Sequence, residues 1–104
     1  MAMTPEAKVK RVVTNYLKKM GAYYFYPATG GFGRSGVPDI VACCGGLFFG
    51  IECKAGKGKT TALQQKNLED IKSAGGFDWV VNEENMHDTE EVLTSWISLQ
   101  IKQT

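Results

Sequence analysis

The stretch that decides the fold runs from Gly36 to Lys54 and reads GVPDIVACCGGLFFGIECK. It contains two short apolar runs, Ile40–Cys44 and Leu47–Cys53, and two glycines separate them. Apolar runs joined by Gly-Gly are typical of a β-hairpin with a two-residue turn. The stretch therefore predicts two antiparallel strands in direct succession.

This hairpin brings two acidic residues together. If the two glycines form the turn, Cys44 pairs with Leu47. Counting back along the ladder then places Asp39 directly opposite Glu52. Opposed side chains have Cβ atoms about 4.5–5.5 Å apart, and like charges there are destabilising. At an effective dielectric of about 20, two unit charges at that distance repel by about 3 kcal/mol. The pair therefore needs a cation or a raised pKa.

Two neighbours complete the site that the hairpin predicts. Lys54 lies two residues after Glu52, so strand alternation places both side chains on one face of the sheet. Cys53 points to the other face, but its backbone carbonyl stays near the two acids. Two carboxylates and a carbonyl oxygen suit a hard divalent cation such as Mg²⁺ or Mn²⁺. The predicted metal ligands are Asp39, Glu52 and the carbonyl of Cys53.

The same residues resemble the signature of a nuclease superfamily. Pro-Asp at 38–39, followed by twelve residues and then Glu-Cys-Lys at 52–54, resembles the PD-(D/E)XK motif. The flanking sequences RSGVPD at 34–39 and ECKAG at 52–56 look like the VRR-NUC branch of that superfamily. The resemblance extends from residue 6 to about residue 76.

The rest of the chain predicts three helices and two further strands around the hairpin. The predicted order is a helix over about 5–20, a strand at 22–26, the hairpin, a helix over about 62–74, a strand at 77–82 and a final helix. Thr4, then Thr60 or Thr61, and Thr89 are the predicted helix caps. This α-β-β-β-α-β-α order agrees with what the resemblance implies, an α/β restriction-endonuclease-like core with a mixed β-sheet flanked by helices. Residues 1–104 are expected to form a single domain.

A third acid, Glu6, lies in the first helix. It precedes Val9 by three residues and Val13 by seven, so it shares the predicted buried stripe, where an unpaired acid is costly. It is either a first-turn acid that complements the helix dipole or a third acid facing the metal site. The resemblance favours the second role, because the nuclease family has a matching first-helix glutamate.

The second helix adds a glutamine to the predicted site. Gln64 is in line with Leu68 and Ile71 on the inward stripe, whereas Gln65 occupies an adjacent, outward face. A buried amide needs a polar partner. Thr61-Ala62-Leu63-Gln64 also resembles the Ser/Thr-x-x-Gln element of the nucleases, and we therefore choose Gln64.

The resemblance implies roles for these residues. The two acids and the Cys53 carbonyl would hold one or two Mg²⁺ or Mn²⁺ ions, which lower the pKa of a bound water and neutralise the scissile phosphate. Lys54 would orient or deprotonate that water, or stabilise the pentacovalent phosphorane; its acidic neighbours favour the charged form and hence stabilisation. Glu6 and Gln64 would orient the water or the nucleophile.

Charge is distributed unevenly along a chain whose net charge is only +1. Residues 1–60 carry nine Lys or Arg and three acids, whereas residues 61–104 carry three Lys and eight acids. The first 60 residues therefore suit a DNA-binding surface on which the few acids hold metal. The alternative is that the surface charges segregate by chance. The predicted DNA contacts are Arg34, Ser35, Lys57 and Lys59; solvated loop lysines and a mobile glycine-rich connector at 29–36 are the alternatives.

Composition excludes several other classes of protein. The 104 residues are 43% hydrophobic, and no apolar run approaches the roughly 20 residues of a membrane span. The N-terminus has no signal-peptide pattern, so we expect a cytoplasmic protein. The small form resembles phage-type stand-alone VRR-NUC proteins that act in a host cytoplasm.

The three cysteines fit neither a disulfide framework nor a zinc pattern and are expected to be small apolar fillers. The lone His87 is expected to be structural or exposed.

The sequence thus predicts a metal-dependent DNA endonuclease that hydrolyses phosphodiester bonds, selective for branched DNA such as four-way junctions. A non-specific or flap-nicking nuclease and a catalytically inert nucleic-acid-binding module are the alternatives. Two symmetric cuts in a junction require a two-fold dimer. The homodimer is expected to use apolar residues of the acidic C-terminal half, namely Phe77, Trp79, Val92, Trp96, Ile97, Leu99 and Ile101.

Overall fold

The computed structural model describes residues 3–28 and 33–102. Within them, the elements follow the predicted α-β-β-β-α-β-α order, with one short 3-10 helix added before the last helix. The predicted boundaries are correct to within two residues. The elements are α1 (Pro5–Lys19), β1 (Tyr23–Phe25), β2 (Ile40–Cys44), β3 (Leu47–Cys53), α2 (Ala62–Ser73), β4 (Phe77–Val81), the 3-10 helix (Met86–Asp88) and α3 (Thr89–Lys102).

The four strands form one mixed sheet in the order β1-β2-β3-β4. The β1–β2 and β2–β3 pairs are antiparallel, and α2 crosses over to a parallel β4. The hairpin register is confirmed, because Cys44 pairs with Leu47 and the ladder continues to Ile40 opposite Ile51. The turn glycines have φ angles of 59° and 82°, a left-handed combination that a two-residue type I′ turn requires and that glycine adopts without strain.

One face of the sheet carries the main core. Phe49, Ile51 and Cys53 of β3 are fully buried there together with Val9 and Val13 of α1. Alternate β3 residues point to this face because strand side chains alternate. Three aromatic rings stack on it with centroids 5.3 to 5.8 Å apart, those of Phe49, Phe77 and Trp96.

The opposite face of β3 receives α2, and a glycine allows their close approach. A Cβ at Gly50 would lie 2.5 Å from Cδ1 of Ile71 and 3.1 Å from Cγ of Pro38. A side chain at position 50 would therefore require the Ile71 side chain to move. Leu68 is also buried in α2. The helix is thereby held against the strand that carries Glu52.

Two local expectations require correction. Cys43 is exposed rather than an apolar filler, because strand alternation turns it away from the main core, whereas Cys44 and Cys53 are buried as expected. Thr89 is the first residue of α3 rather than the residue before it, and its hydroxyl donates to the carbonyl of Met86 at 2.6 Å. None of the helices in the described ranges is long and apolar enough to cross a membrane.

Candidate active site

The two acids of the hairpin, Asp39 and Glu52, lie side by side and are called the carboxylate pair below. Asp39 immediately precedes β2, and its Oδ2 accepts a hydrogen bond from the backbone N–H of Cys53 at 2.8 Å. Glu52 is only 1% exposed, and its Oε1 accepts from Nε2 of Gln64 at 3.4 Å. Within the described part of the chain, Oε2 of Glu52 has no hydrogen-bond partner.

This environment changes the ionisation of Glu52. Burial is the main cause that raises its pKa from the ordinary 4.5 to about 8, and the neighbouring carboxylate of Asp39 adds to the rise. The charge on Lys54 opposes the rise, while that on Glu6 increases it slightly. A buried, unpartnered oxygen beside a second carboxylate suits a hard divalent cation, which would replace the proton.

Gln64 connects the carboxylate pair to Lys54. The Lys54 ammonium donates to Oε1 of Gln64 at 2.9 Å, while Nε2 of the same amide faces Glu52. A capping box at the start of α2 fixes the amide, because its Oε1 accepts from the N–H of Thr61 at 2.9 Å and Thr61 Oγ1 accepts from the N–H of Gln64 at 3.1 Å. Gln65 instead faces Thr60 and is exposed, so the structure brings Gln64 and not Gln65 to the site.

Glu6 lies at the edge of the site and not in the core. It is exposed in the first turn of α1, contrary to the expected place on a buried stripe, because the buried cluster begins only at Val9. Its charge nevertheless acts on Glu52. Among the described residues, no three His, Cys, Asp or Glu side chains are grouped closely enough to hold an ion. The predicted ligand set does not need three such side chains, because it consists of two carboxylates and one main-chain oxygen.

The segment before Asp39 is attached to α2. Arg34 pairs with Asp70 at 3.0 Å between Nη2 and Oδ2, so this predicted DNA contact already has an acidic partner. The carbonyl of Ser35 accepts from Nδ2 of Asn67 at 3.1 Å. Gly36 has φ 75°, and a Cβ there would lie 2.9 Å from that same nitrogen. The part of the predicted glycine-rich loop at 29–32 lies outside the described residues.

Sequence reasoning missed two residues that hold the loops of the site. Asn67 is 5% exposed and lies one helical turn after Gln64. That spacing places it on the same side of α2 as Gln64 and could have indicated its role. Glu83 follows β4, and its carboxylate accepts from the N–H of Gly56 at 2.9 and 3.1 Å. No sequence pattern links Glu83 to the basic loop at 55–59. In that loop, Lys57 and Lys59 are exposed a few residues after Lys54.

Comparison with known proteins identifies the family and the fold. Residues 6–96 match the family described as archaeal Holliday junction resolvase (Hjc). A solved structure of a VRR_NUC domain superposes with a TM-score of 0.70 at 19% sequence identity, covering 88% of this chain and 97% of that one. No curated protein matches the chain. These findings confirm the predicted resemblance to nucleases and the predicted mixed α/β fold.

Proposed function

This chain belongs to the family of archaeal Holliday junction resolvases, and on that premise we propose that it is a metal-dependent DNA endonuclease that cuts four-way junctions and related branched DNA. The single observation that carries the proposal is the buried Glu52. Its Oε2 lacks a partner in the described structure, and it lies beside Asp39 and within reach of the Gln64–Lys54 contact. A buried acid of this kind is destabilising unless it binds something, and a divalent cation satisfies it.

The carboxylate pair and the carbonyl of Cys53 are the proposed ligands of Mg²⁺ or Mn²⁺. When bound, the ion supplies an acidified water and neutralises charge on the scissile phosphate. Asp39 is already oriented for this role, because the Cys53 N–H holds one of its oxygens. Glu52 is oriented by the amide of Gln64. The protein thus prepares both acids before any ligand binds.

Lys54 is the proposed group that stabilises the reacting phosphate. Its ammonium is held by a neutral amide and has no acid within salt-bridge distance in the described structure, so its charge is available for an anion. Gln64 keeps this ammonium and Glu52 in fixed relation through one side chain. Glu6, exposed at the rim, is proposed to orient the attacking water from the α1 side.

Four residues are proposed to contact the DNA backbone. Lys57 and Lys59 are exposed in the loop that follows Lys54. Arg34 uses one nitrogen for Asp70, and a guanidinium has five N–H donors, so donors remain for a phosphate. Ser35 is exposed beside it, and its carbonyl is fixed by Asn67.

The nuclease proposal predicts paired, symmetric cuts in a synthetic four-way junction when Mg²⁺ or Mn²⁺ is present, and no cuts in EDTA. The measurement compares labelled junction, flap and plasmid DNA in a single-turnover assay. Equal cutting of flaps and junctions would instead identify a structure-tolerant nicking nuclease. DNA binding without cutting in every metal tested would identify an inert binding module.

A two-fold cut implies two copies of the chain. Five of the apolar residues expected at a C-terminal interface instead pack against the main core of their own chain, and Leu99 and Ile101 are the exposed ones, at 55% and 67%. A second apolar surface, called the open sheet face, lies on the side of β1 and β2 that the main core does not cover. It consists of Tyr23, Phe25, Val41, Cys43 and Phe48, and Arg34 lies at its border beside Phe25, Val41 and Phe48.

We infer that the homodimer forms through the open sheet face. Tyr23, Phe25 and Phe48 are 73%, 47% and 45% exposed there, an arrangement that is costly for a monomer in water. Light scattering at tens of micromolar protein is expected to give twice the mass of 11.4 kDa. Tyr23→Glu should yield a monomer, because it places charges at the interface.

Leu99→Glu is the matched control, since it adds the same charge at an exposed apolar residue of α3. It is expected to leave the dimer intact. If Leu99→Glu rather than Tyr23→Glu produces the monomer, the interface lies at the C-terminal end that the sequence suggested. A monomeric wild-type chain would remove the dimer altogether.

A further inference from the structure

Lys10 is a basic residue of α1 that the proposed mechanism does not use. It lies one helical turn after Glu6, so both side chains project from the same side of the helix. Its side chain is half-buried. Its ammonium nitrogen lies 5.4 Å from the ring centroid of Tyr26, a cation–π contact.

Lys10 lies at the end of the sheet that carries the site. Its ring partner, Tyr26, directly follows β1. The last residue of β1 pairs with Val41, which lies two residues after Asp39. Tyr26 also contacts Tyr24, which packs against the main core on the α1 face. The Lys10 ammonium is therefore on the α1 side of the sheet, at the end where Asp39 lies.

Lys10 also keeps its full charge available. In the described ranges it forms no salt bridge, and its ring partner is neutral. A cation–π contact positions an ammonium without neutralising it. Tyr26 is 51% exposed, so this position borders the solvent. Such an arrangement is suited to an anion that arrives from outside.

We propose that Lys10, positioned by Tyr26, binds a backbone phosphate of the DNA strand that enters the site, on the side opposite Lys54. This inference rests on the proposed function, because it assumes that the bound polymer is DNA. The two lysines then hold the strand from both sides of β3. One acts from α1 and the other from β3.

The test uses three variants of residues in α1. Lys10→Met removes the charge and keeps most of the apolar stem, and Lys10→Arg restores the charge. Lys8→Met is the matched control, because Lys8 is an exposed lysine about 200° around the same helix. Binding of junction DNA is measured by fluorescence anisotropy in Ca²⁺ over a series of salt concentrations, and thermal melting checks the fold.

In Lys10→Met, the slope of log affinity against log salt concentration should become shallower by about 0.9. This is the amount that corresponds to the loss of one phosphate contact. Lys10→Arg should restore the slope, and Lys8→Met should keep it. Tyr26→Leu should weaken binding about two- to fivefold with little change in slope, since the ammonium remains but is no longer positioned.

An unchanged slope in Lys10→Met, or an equal loss in Lys8→Met, would overturn the proposal, the second because it would show only a general effect of charge. A variant that melts early and binds weakly with the wild-type slope would show a structural role and would overturn it equally. Wild-type protein that neither binds nor cuts DNA would instead refute the proposed nuclease function.

Discussion

Asp39→Asn, Glu52→Gln and Lys54→Ala are each expected to lower the rate of junction cleavage by about a thousandfold or more, because each removes a charged group that acts on the reacting phosphate or its metal. The fold should remain intact in all three variants. Single-turnover cleavage in Mg²⁺ with protein in excess measures the loss without interference from product release.

The two acid variants carry a second expectation, which concerns stability. Above about pH 8, where Glu52 is ionised in the metal-free protein, each removes one charge from a pair of like charge, and in Glu52→Gln the amide can still accept from Gln64. In EDTA at about pH 8.5 both variants should therefore melt at or above the wild-type temperature. A metal-binding nuclease site destabilises the fold when the metal is absent, so removing one acid should not lower the melting temperature. Removing an acid with a structural role should lower it.

Matched controls separate these effects from general changes in charge. Lys72→Ala removes an exposed lysine, and Glu69→Gln neutralises an exposed acid, both on α2. Both should keep the single-turnover rate at saturating protein. Full activity in any of the three site variants would refute the site assignment, and a melting loss of many degrees in the acid variants would support a structural role.

The stability of the metal-free protein is expected to fall as pH rises from about 4.5 to about 8, the interval between the ordinary and the folded-state pKa of Glu52. In that interval the folded chain holds a proton that the unfolded chain releases, so the free energy of unfolding decreases with pH. The groups that act on Glu52 are Asp39, Lys54 and Glu6. Glu52→Gln has no such proton and should lose much less stability.

Divalent metal should reverse this trend. Binding at Glu52 requires the ionised carboxylate, so the metal competes with a proton, and its apparent affinity should rise about tenfold per pH unit until pH reaches about 8. The increase in melting temperature on adding Mg²⁺ should therefore be larger at about pH 8.5 than at about pH 6. Isothermal titration in two buffers of different ionisation enthalpy would count the released proton.

Two results would contradict this account of Glu52. One is a constant difference in melting temperature between wild type and Glu52→Gln from about pH 5 to about pH 8.5. The other is equal stabilisation of both proteins by Mg²⁺, which would place the ion elsewhere. Glu69→Gln is again the control, and it should follow the wild-type curve.

The sequence by itself determined the hairpin and the carboxylate pair. Gly-Gly turn chemistry sets the register, and a period of two then determines which side chains share a face, so Asp39 and Glu52 are matched by local rules alone. The start of α2 is equally local, because a Thr-x-x-Gln capping box involves residues three positions apart. These local patterns are also the ones that carried the resemblance to the nuclease family.

Only the tertiary structure decided which distant side chains meet at the site. The helical period placed Glu6 on the stripe of Val9, but the extent of the core, which depends on the packing of α1 against the sheet, leaves Glu6 exposed. The contacts of Arg34 with Asp70 and of Gly56 with Glu83 join residues 36 and 27 positions apart. Lys10 and Tyr26 meet for the same reason. Such contacts depend on how α1, α2 and the loops pack in three dimensions, and no local propensity or periodicity encodes that packing.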